Sequence, residues 1–418
     1  MAQAGARMRA GYGLRTLDLS DLPARIAPEP GGGGLGVILR DRGRIVGFKL
    51  LGQRSFGAEG GLDPETLVDR ETREAMAVGR LRDELGAPVA PAPSITVAIC
   101  SKDRWDWVER LLDSLAPLRV QGAFEVVVID NASTDPRMRE VCAARDWVRY
   151  VHEPLVGLDF ARNRAIREAS GEVVAFLDDD VVVDRDWLRG LRRVWAENPD
   201  AGCVTGLVLP MVLKTEAQIL FEEGGGFRRG FRPIRYGPER FGDPLFPCGA
   251  GRFGAGANMS LRRALVLRLG GFDEALDTGR PLPGGGDLDI FYRVLRAGAP
   301  LVYEPQVAVY HEHRRDMAVL RRQYYTWGVG FMAFVRKSMD ADPAMKGQFR
   351  SMILWWLRYQ AGRLARRLLR RGPIPARMIL GEIWGGVIGF FGEYDRSRRR
   401  IAEIRAAAAR AGAVEAAQ

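Results

Sequence analysis

Along the middle of the chain the apolar residues alternate between two rhythms. Ile95 to Cys100 is a short apolar run, and behind it Val108, Leu111, Leu112 and Leu115 recur at the spacing of one helix face. Val126 to Ile129 predicts the next strand, Pro136 to Ala144 a helix, and Val148 to Val151 a third strand. Gly157 to Ala169 then reads as a helix and Val173 to Leu177 as a fourth strand. Short buried strands separated by helix-length amphipathic stretches predict an α/β domain, with a mostly parallel sheet and right-handed crossovers. Ahead of it, Leu35 to Leu51 alternates around Asp41 to Gly43, the pattern of a β-hairpin. A Pro/Gly-rich break at Pro28 to Gly34 and the stiff string APVAPAP, Ala87 to Pro93, suggest three regions. These are an N-terminal accessory region at 1–90, the α/β domain at 91–315 and a C-terminal region at 316–418.

Composition changes this picture little, and charge changes it more. At 418 residues and 47% apolar, the chain has enough core to fold without a metal or disulfide staple. Cys100, Cys142, Cys203 and Cys248 are scattered, and the start MAQAGARMRAGYG has no apolar signal segment, so reduced thiols in a cytoplasmic protein are expected. The net charge of +10 is concentrated: from Arg314 onward there are 21 Lys or Arg and 8 Asp or Glu, while the rest carries 41 and 44.

In parallel sheets ligands bind beyond the carboxyl ends of the strands. Asp130 and the run Asp178, Asp179, Asp180 lie at two such ends. Adjacent carboxylates repel unless a cation is bound. Their hard oxygens favour Mg²⁺ or Mn²⁺, with a nucleotide diphosphate supplying further ligands. An isolated acidic triplet reads as a solvated turn; its position after a buried strand and the motifs around it favour the cation site. Further on, Gly284 to Gly286 precede Asp287 at the start of a helix made amphipathic by Ile290, Phe291, Val294 and Leu295. The glycines would let backbone approach a substrate closely. Acids in a first helical turn also serve as plain dipole partners.

Taken in order, VAICSKDR (97–104), VVVIDNASTD (126–135), GLDFARNRAIREASGE (157–172), AFLDDD (175–180), GAGANMSLRR (254–263), GGFDE (270–274) and GGGDLDIFYRVLRAG (284–298) resemble the family 2 glycosyltransferases. The resemblance covers roughly half the chain. It implies a GT-A fold and inverting transfer of a sugar from a nucleotide-diphosphate-sugar to an acceptor hydroxyl. Carried over by position, Asp130 accepts a hydrogen bond from the nucleotide base, and Arg162 lies against the nucleotide instead of on an open helix surface. Asn258 belongs to the donor site. Asp178 and Asp180 are the outer acids of the metal motif, Asp180 the more direct ligand, although Asp179 can claim either role in a run of three. Asp287 is the catalytic base, with Asp289 as the alternative because the family commonly has Glu-Asp where this chain has Gly286-Asp287. His311 is a metal ligand, with His313 as its alternate. As base, Asp287 would take the proton of the acceptor hydroxyl during a single in-line displacement.

The C-terminal region mixes aromatic and basic residues. Its longest uncharged run, Gln323 to Val335, is shorter than the roughly 20 residues of a spanning helix. An interfacial position is expected, with Trp355, Trp356, Trp384 and Phe390 among lipid headgroups and Arg366, Arg367, Arg370 and Arg371 facing anionic lipid. The alternative is a helical extension packed on the α/β domain. After Ile401 the Ala-rich end reads as a solvated helix or frayed tail. Membrane contact suits a glycan or lipid-linked acceptor in surface polysaccharide or glycolipid synthesis. No nucleic-acid module is recognisable. Two other readings compete: a non-catalytic nucleotide-sugar or carbohydrate binder, favoured by the missing glutamate at Gly286, and a nicotinamide enzyme, disfavoured because SKDRWD lacks the glycine fingerprint.

Overall fold

The computed structural model describes residues 10–57, 60–86, 90–237, 243–369 and 371–415, without the side chains of 411–415. The first three strands, β1 (Tyr12–Asp18), β2 (Gly34–Asp41) and β3 (Arg44–Gly52), form a small sheet in that order. β2 and β3 are the expected hairpin. Positive φ at Arg42 and Gly43 closes it in two residues, a twist that suits an antiparallel pair. β1 adds in parallel to β2, and its weak alternation gave no sign of it. Helix α1 (Arg70–Glu84) follows, its first turn capped by Asp69, which accepts from the Thr72 N–H. Of the expected linker, Ala87 to Val89 lie outside the described residues.

The α/β unit begins β4 (Ile95–Ser101), α2 (Trp105–Leu115), β5 (Glu125–Asn131), α3 (Arg137–Ala143), β6 (Val148–Glu153), α4 (Leu158–Glu168), β7 (Val173–Leu177), in the predicted order. It continues β8 (Val181–Val183), α5 (Trp187–Glu197), β9 (Cys203–Pro210), α6 (Glu216–Glu223), β10 (Ile234–Tyr236), β11 (Asn258–Arg262), α7 (Arg263–Arg268), α8 (Gly286–Arg296) and β12 (Leu301–His311). The sheet order is β10-β12-β9-β11-β7-β4-β5-β6, with β8 on β12. β11 runs against both β7 and β9, so β4, β5, β6, β7, β9 and β12 all point one way. Because both faces of the sheet are covered, successive strand residues enter different cores. Val97, Ile99, Val126 and Val128 pack with α2 and α5 on one side. Ala98, Val127 and Ile129 pack with α4 and α8 on the other.

The N-terminal sheet is fused to this body. Val37, Leu39 and Phe48 share a core with Leu207 and Leu213. Arg40 pairs with Asp184 and reaches the Tyr310 hydroxyl at 3.0 Å, and Arg82 meets Glu304 at 2.8 Å.

Four helices finish the chain: α9 (Met317–Ala341), α10 (Lys346–Leu368), α11 (Ala376–Ile388) and α12 (Tyr394–Glu415). α9 and α11 touch backbone to backbone, for a Cβ on Gly328, Gly385 or Gly389 would run into the carbonyls of Glu382, Tyr325 or Val329. Two of the expected headgroup aromatics are placed otherwise. Trp356 is buried, stacked on Phe331 with centroids 6.0 Å apart, and Phe390 is half-buried against the core. Trp355 and Trp384 are exposed, as are Leu380 and Val387 on the same side of α11 as Trp384, and Phe391 beyond the end of that helix. Arg366, Arg367 and Arg371 are exposed, and Arg370 lies outside the described residues. Among the described residues no helix is long and apolar enough to cross a membrane.

Candidate active site

The carboxyl end of β7, the start of α8 and the residues before it converge on one acidic centre around Arg162. This arginine is on α4 but not on the open helix surface, for its side chain is buried. Its Nη1 lies 3.0 Å from Asp159 Oδ1 and 3.4 Å from Asp277 Oδ2, and its Nη2 lies 3.9 Å from Asp178 Oδ1. Asp287, over a hundred residues after the acidic triplet, reaches the same place. A Cβ added to Gly256 would lie 3.2 Å from both Arg162 Nη2 and Asp287 Oδ2. Asp159 and Asp277 had no motif of their own; only the i, i+3 spacing of Asp159 and Arg162 on α4 hinted at the first pair.

One guanidinium among four carboxylates leaves the centre short of positive charge. Burial drives Asp159 well above the ordinary carboxylate range, and the charge of Asp277 adds to this against the pull of Arg162. Burial likewise pushes Asp277 up to about 7, opposed by Arg162 and reinforced by Asp287. Asp178 is also raised by burial, with Arg162 opposing and Asp180 reinforcing. Such a site gains from any added cation.

The three aspartates after β7 face different ways. Asp179 turns inward, accepting from Ser101 Oγ at 2.6 Å and pairing with Arg104 at 2.5 Å; burial still lifts it to about 7. Asp178 is the most open, with its side chain 39% exposed. Asp180 is buried beside His311, Oδ1 to Nε2 3.2 Å, with Arg104 and Arg314 at 3.3 and 3.4 Å. Burial acts against its charge, yet the His311 hydrogen bond and the two arginines hold it below the usual range. Among the described residues no group of three or more His, Cys, Asp or Glu side chains is arranged to hold a metal ion. The donors nearest one another here are Asp178, Asp180 and the His311 nitrogen that meets Asp180.

At the end of β5, Asp130 Oδ1 accepts from the Ser133 N–H at 3.0 Å and Oδ2 from the Tyr150 hydroxyl at 2.7 Å. Each oxygen keeps a lone pair for a further donor.

The paired aspartates of α8 part company. Asp287 Oδ2 accepts from the Gly256 N–H at 3.1 Å, and the residue is half-buried. Asp289 is fully buried, bonded to Lys337 and, at 2.7 Å, to Arg293. With both oxygens held by cations inside the protein it cannot reach an acceptor hydroxyl, which removes it as the base. The glycines before Asp287 also serve a different purpose from the one expected. Gly284 and Gly285 pack on the backbone of Gly330 in α9, and a Cβ on Gly286 would collide with Asp159 Oδ2. Asp159 therefore puts an acid into the space that a side chain at 286 would fill.

Asn258 is not a donor contact. It is buried on β11, its Oδ1 accepting from Trp187 Nε1 at 3.2 Å and its Nδ2 donating to the carbonyls of Val307 and Leu207 at 2.7 and 3.2 Å. Its amide joins β9, β12 and α5.

Fold and site together define an α/β protein with an acidic, cation-seeking cleft at its parallel strand ends. Residues 96–264 match the model of Glycosyl transferase family 2. It is similar to the pre-mycofactocin glycosyltransferase of Mycobacterium tuberculosis, 26% identical over 318 residues, which cover 70% of this chain and 63% of that protein. It is similar also to the succinoglycan biosynthesis protein ExoM of Rhizobium meliloti, 28% identical over 255 residues, covering 56% and 72%. Among solved structures it is similar to the mannosyltransferase PcManGT from Pyrobaculum calidifontis in complex with GDP-Man and Mn²⁺. That likeness, at 22% identity and a TM-score of 0.46 over 81% and 94% of the two chains, is too loose to bear on the site.

Proposed function

We propose that the chain is an inverting glycosyltransferase that moves a sugar from a nucleotide-diphosphate-sugar to an acceptor hydroxyl, in the synthesis of a surface polysaccharide or glycolipid. The observation that carries this reading is the meeting of Asp178 and Asp287 at Arg162, which sets a cation-seeking acid and a free carboxylate at one cleft. Asp287 takes the proton from the attacking hydroxyl, and its hydrogen bond to Gly256 holds the carboxylate in line. Asp130 accepts from the nucleotide base. Asp178, Asp180 and His311 hold Mn²⁺ or Mg²⁺, which when bound offsets charge on the departing diphosphate. Arg162 keeps Asp178 and Asp287 close without either being expelled. The relatives named for glycosyl transfer and for succinoglycan synthesis support this class.

The binder alternative rested on the empty position at Gly286, and Asp159 fills that space with a carboxyl group. The exposed stripe of α11 with the arginines of α10 and its following turn supports peripheral contact with an anionic membrane, where a lipid-linked acceptor would be met. The test is to incubate the chain with Mn²⁺ and a panel of nucleotide-diphosphate-sugars and to measure released nucleoside diphosphate. Release that depends on Asp287 supports the reading; binding without any turnover, whatever the acceptor supplied, returns the chain to the binder class.

A further inference from the structure

Behind His311 runs a chain of hydrogen bonds that the proposed chemistry does not use. His311 Nδ1 lies 2.9 Å from His313 Nδ1, and His313 Nε2 lies 2.7 Å from Glu222 Oε1. The other oxygen of Glu222 pairs with Arg228. All three side chains of the relay are at least nine-tenths buried. Rings close the relay from the sides: Phe221 to His313 is 4.6 Å and Phe227 to His311 is 5.3 Å between centroids. Helix α6 supplies the anchor. Its capping box fixes the first turn, Gln218 Nε2 donates to the His313 carbonyl at 3.2 Å, and Glu222 lies one turn further on the same buried face.

We infer that Glu222 and His313 are positioning residues that aim Nε2 of His311 at Asp180. Glu222 can only accept, so His313 must offer it the proton on Nε2. The facing Nδ1 atoms of the two rings, 2.9 Å apart, share one proton, so Glu222 holds His313 and His313 holds His311. Nε2 of His311, 3.2 Å from Asp180 Oδ1, donates to that carboxylate in the metal-free protein and is the nitrogen that faces a cation there. A partner on the far nitrogen of a ligating imidazole fixes both its tautomer and its ring plane. The inference rests on the reading of Asp180 and His311 as a cation site.

The chain has only three histidines, which makes the relay readable by ¹⁵N long-range spectra of the metal-free protein. The expected spectrum shows one proton between the Nδ1 atoms of His311 and His313, lost in His313→Phe. Titration with Mn²⁺ alone, followed by the paramagnetic resonance of the free ion, should show ~10–100-fold weaker binding in His313→Phe. His313→Asn, whose side-chain amide can hydrogen-bond where Nδ1 did, should recover most of the affinity. The inference is overturned if the wild-type spectrum shows no such proton, if His313→Phe binds Mn²⁺ as wild type does, or if His313→Asn is no better than His313→Phe. Glu222→Leu provides a second route should His313→Phe fail to fold, and unchanged Mn²⁺ binding there also overturns it. A wild-type protein that binds no Mn²⁺ but shows the Nδ1 proton refutes the cation site and leaves the ring orientation standing.

Discussion

Asp287 and Asp289 are two residues apart on α8, and their surroundings give them opposite roles. Replacing Asp287 by Asn leaves the Gly256 contact possible but removes the proton acceptor. Turnover should fall by ~10²–10⁴ while calorimetry shows donor binding little changed; transfer at the wild-type rate would move the base elsewhere. Asp289→Asn should act on folding instead, because Lys337 and Arg293 lose a buried counter-charge. A loss of about 3–5 kcal/mol in denaturant unfolding is expected, with activity per folded molecule retained. Gly286→Ala should damage both stability and turnover by driving a methyl group into Asp159. Adding Asp159→Ala should return part of the lost stability, and a double-mutant cycle with no coupling would show that the two do not meet. The motif containing Asp287 was legible from the chain, but which of its two acids stays free was not, since Lys337 reaches Asp289 from a helix about fifty residues on. The same holds for Asn258, a motif residue whose partners come from β9, β12 and α5.

Among the elements, those whose fate is settled by local pattern were found from the sequence, within a few residues at each end. Helix α1 shows how a cap sets a boundary. Asp69 accepts from the Thr72 N–H and hydroxyl and pairs with Lys49 at 2.5 Å, so that, although burial opposes it, the carboxyl is lowered to about 2 from 3.8. The stability it contributes is therefore whole above about pH 4 and is withdrawn as the pH falls toward 2. Asp69→Ala should cost about 1 kcal/mol near neutrality. The gap in melting temperature between wild type and variant should narrow in acid; a gap that holds at pH 2 would mean the carboxylate is not the source. β1, β8, β10 and β11 escaped notice because short strands have too few positions to set up an alternation, and β9 because all eight of its positions are buried. α9 and α11 read as aromatic and basic helices, yet their pairing depends on glycines that let backbones touch, a contact invisible until both helices are placed.

At the scale of the whole molecule, the N-terminal sheet, the α/β body and the C-terminal helices pack as one. The C-terminal region carries exposed arginines and also the exposed apolar residues Leu380, Trp384, Val387 and Phe391. If this region meets anionic lipid, the chain should co-sediment with phosphatidylglycerol vesicles at low salt and be released at high salt. Trp384→Ala with Phe391→Ala should weaken that binding; equal binding to neutral vesicles, or none to either, counts against it.

The sequence by itself determined the order of strands and helices from Ile95 to Leu177, the hairpin ahead of them and the acids at the strand ends. Each of these follows from interactions within a few residues or from the periodic need to bury one face. Only the tertiary structure decided that Arg162 is an internal counter-ion, that Asp159 occupies the space beside Gly286, that Trp356 is core, and that two histidines and Glu222 form a line behind Asp180. Those outcomes depend on which distant side chains share a low-dielectric space, where burial and charge, and not position in a motif, set what each group can do.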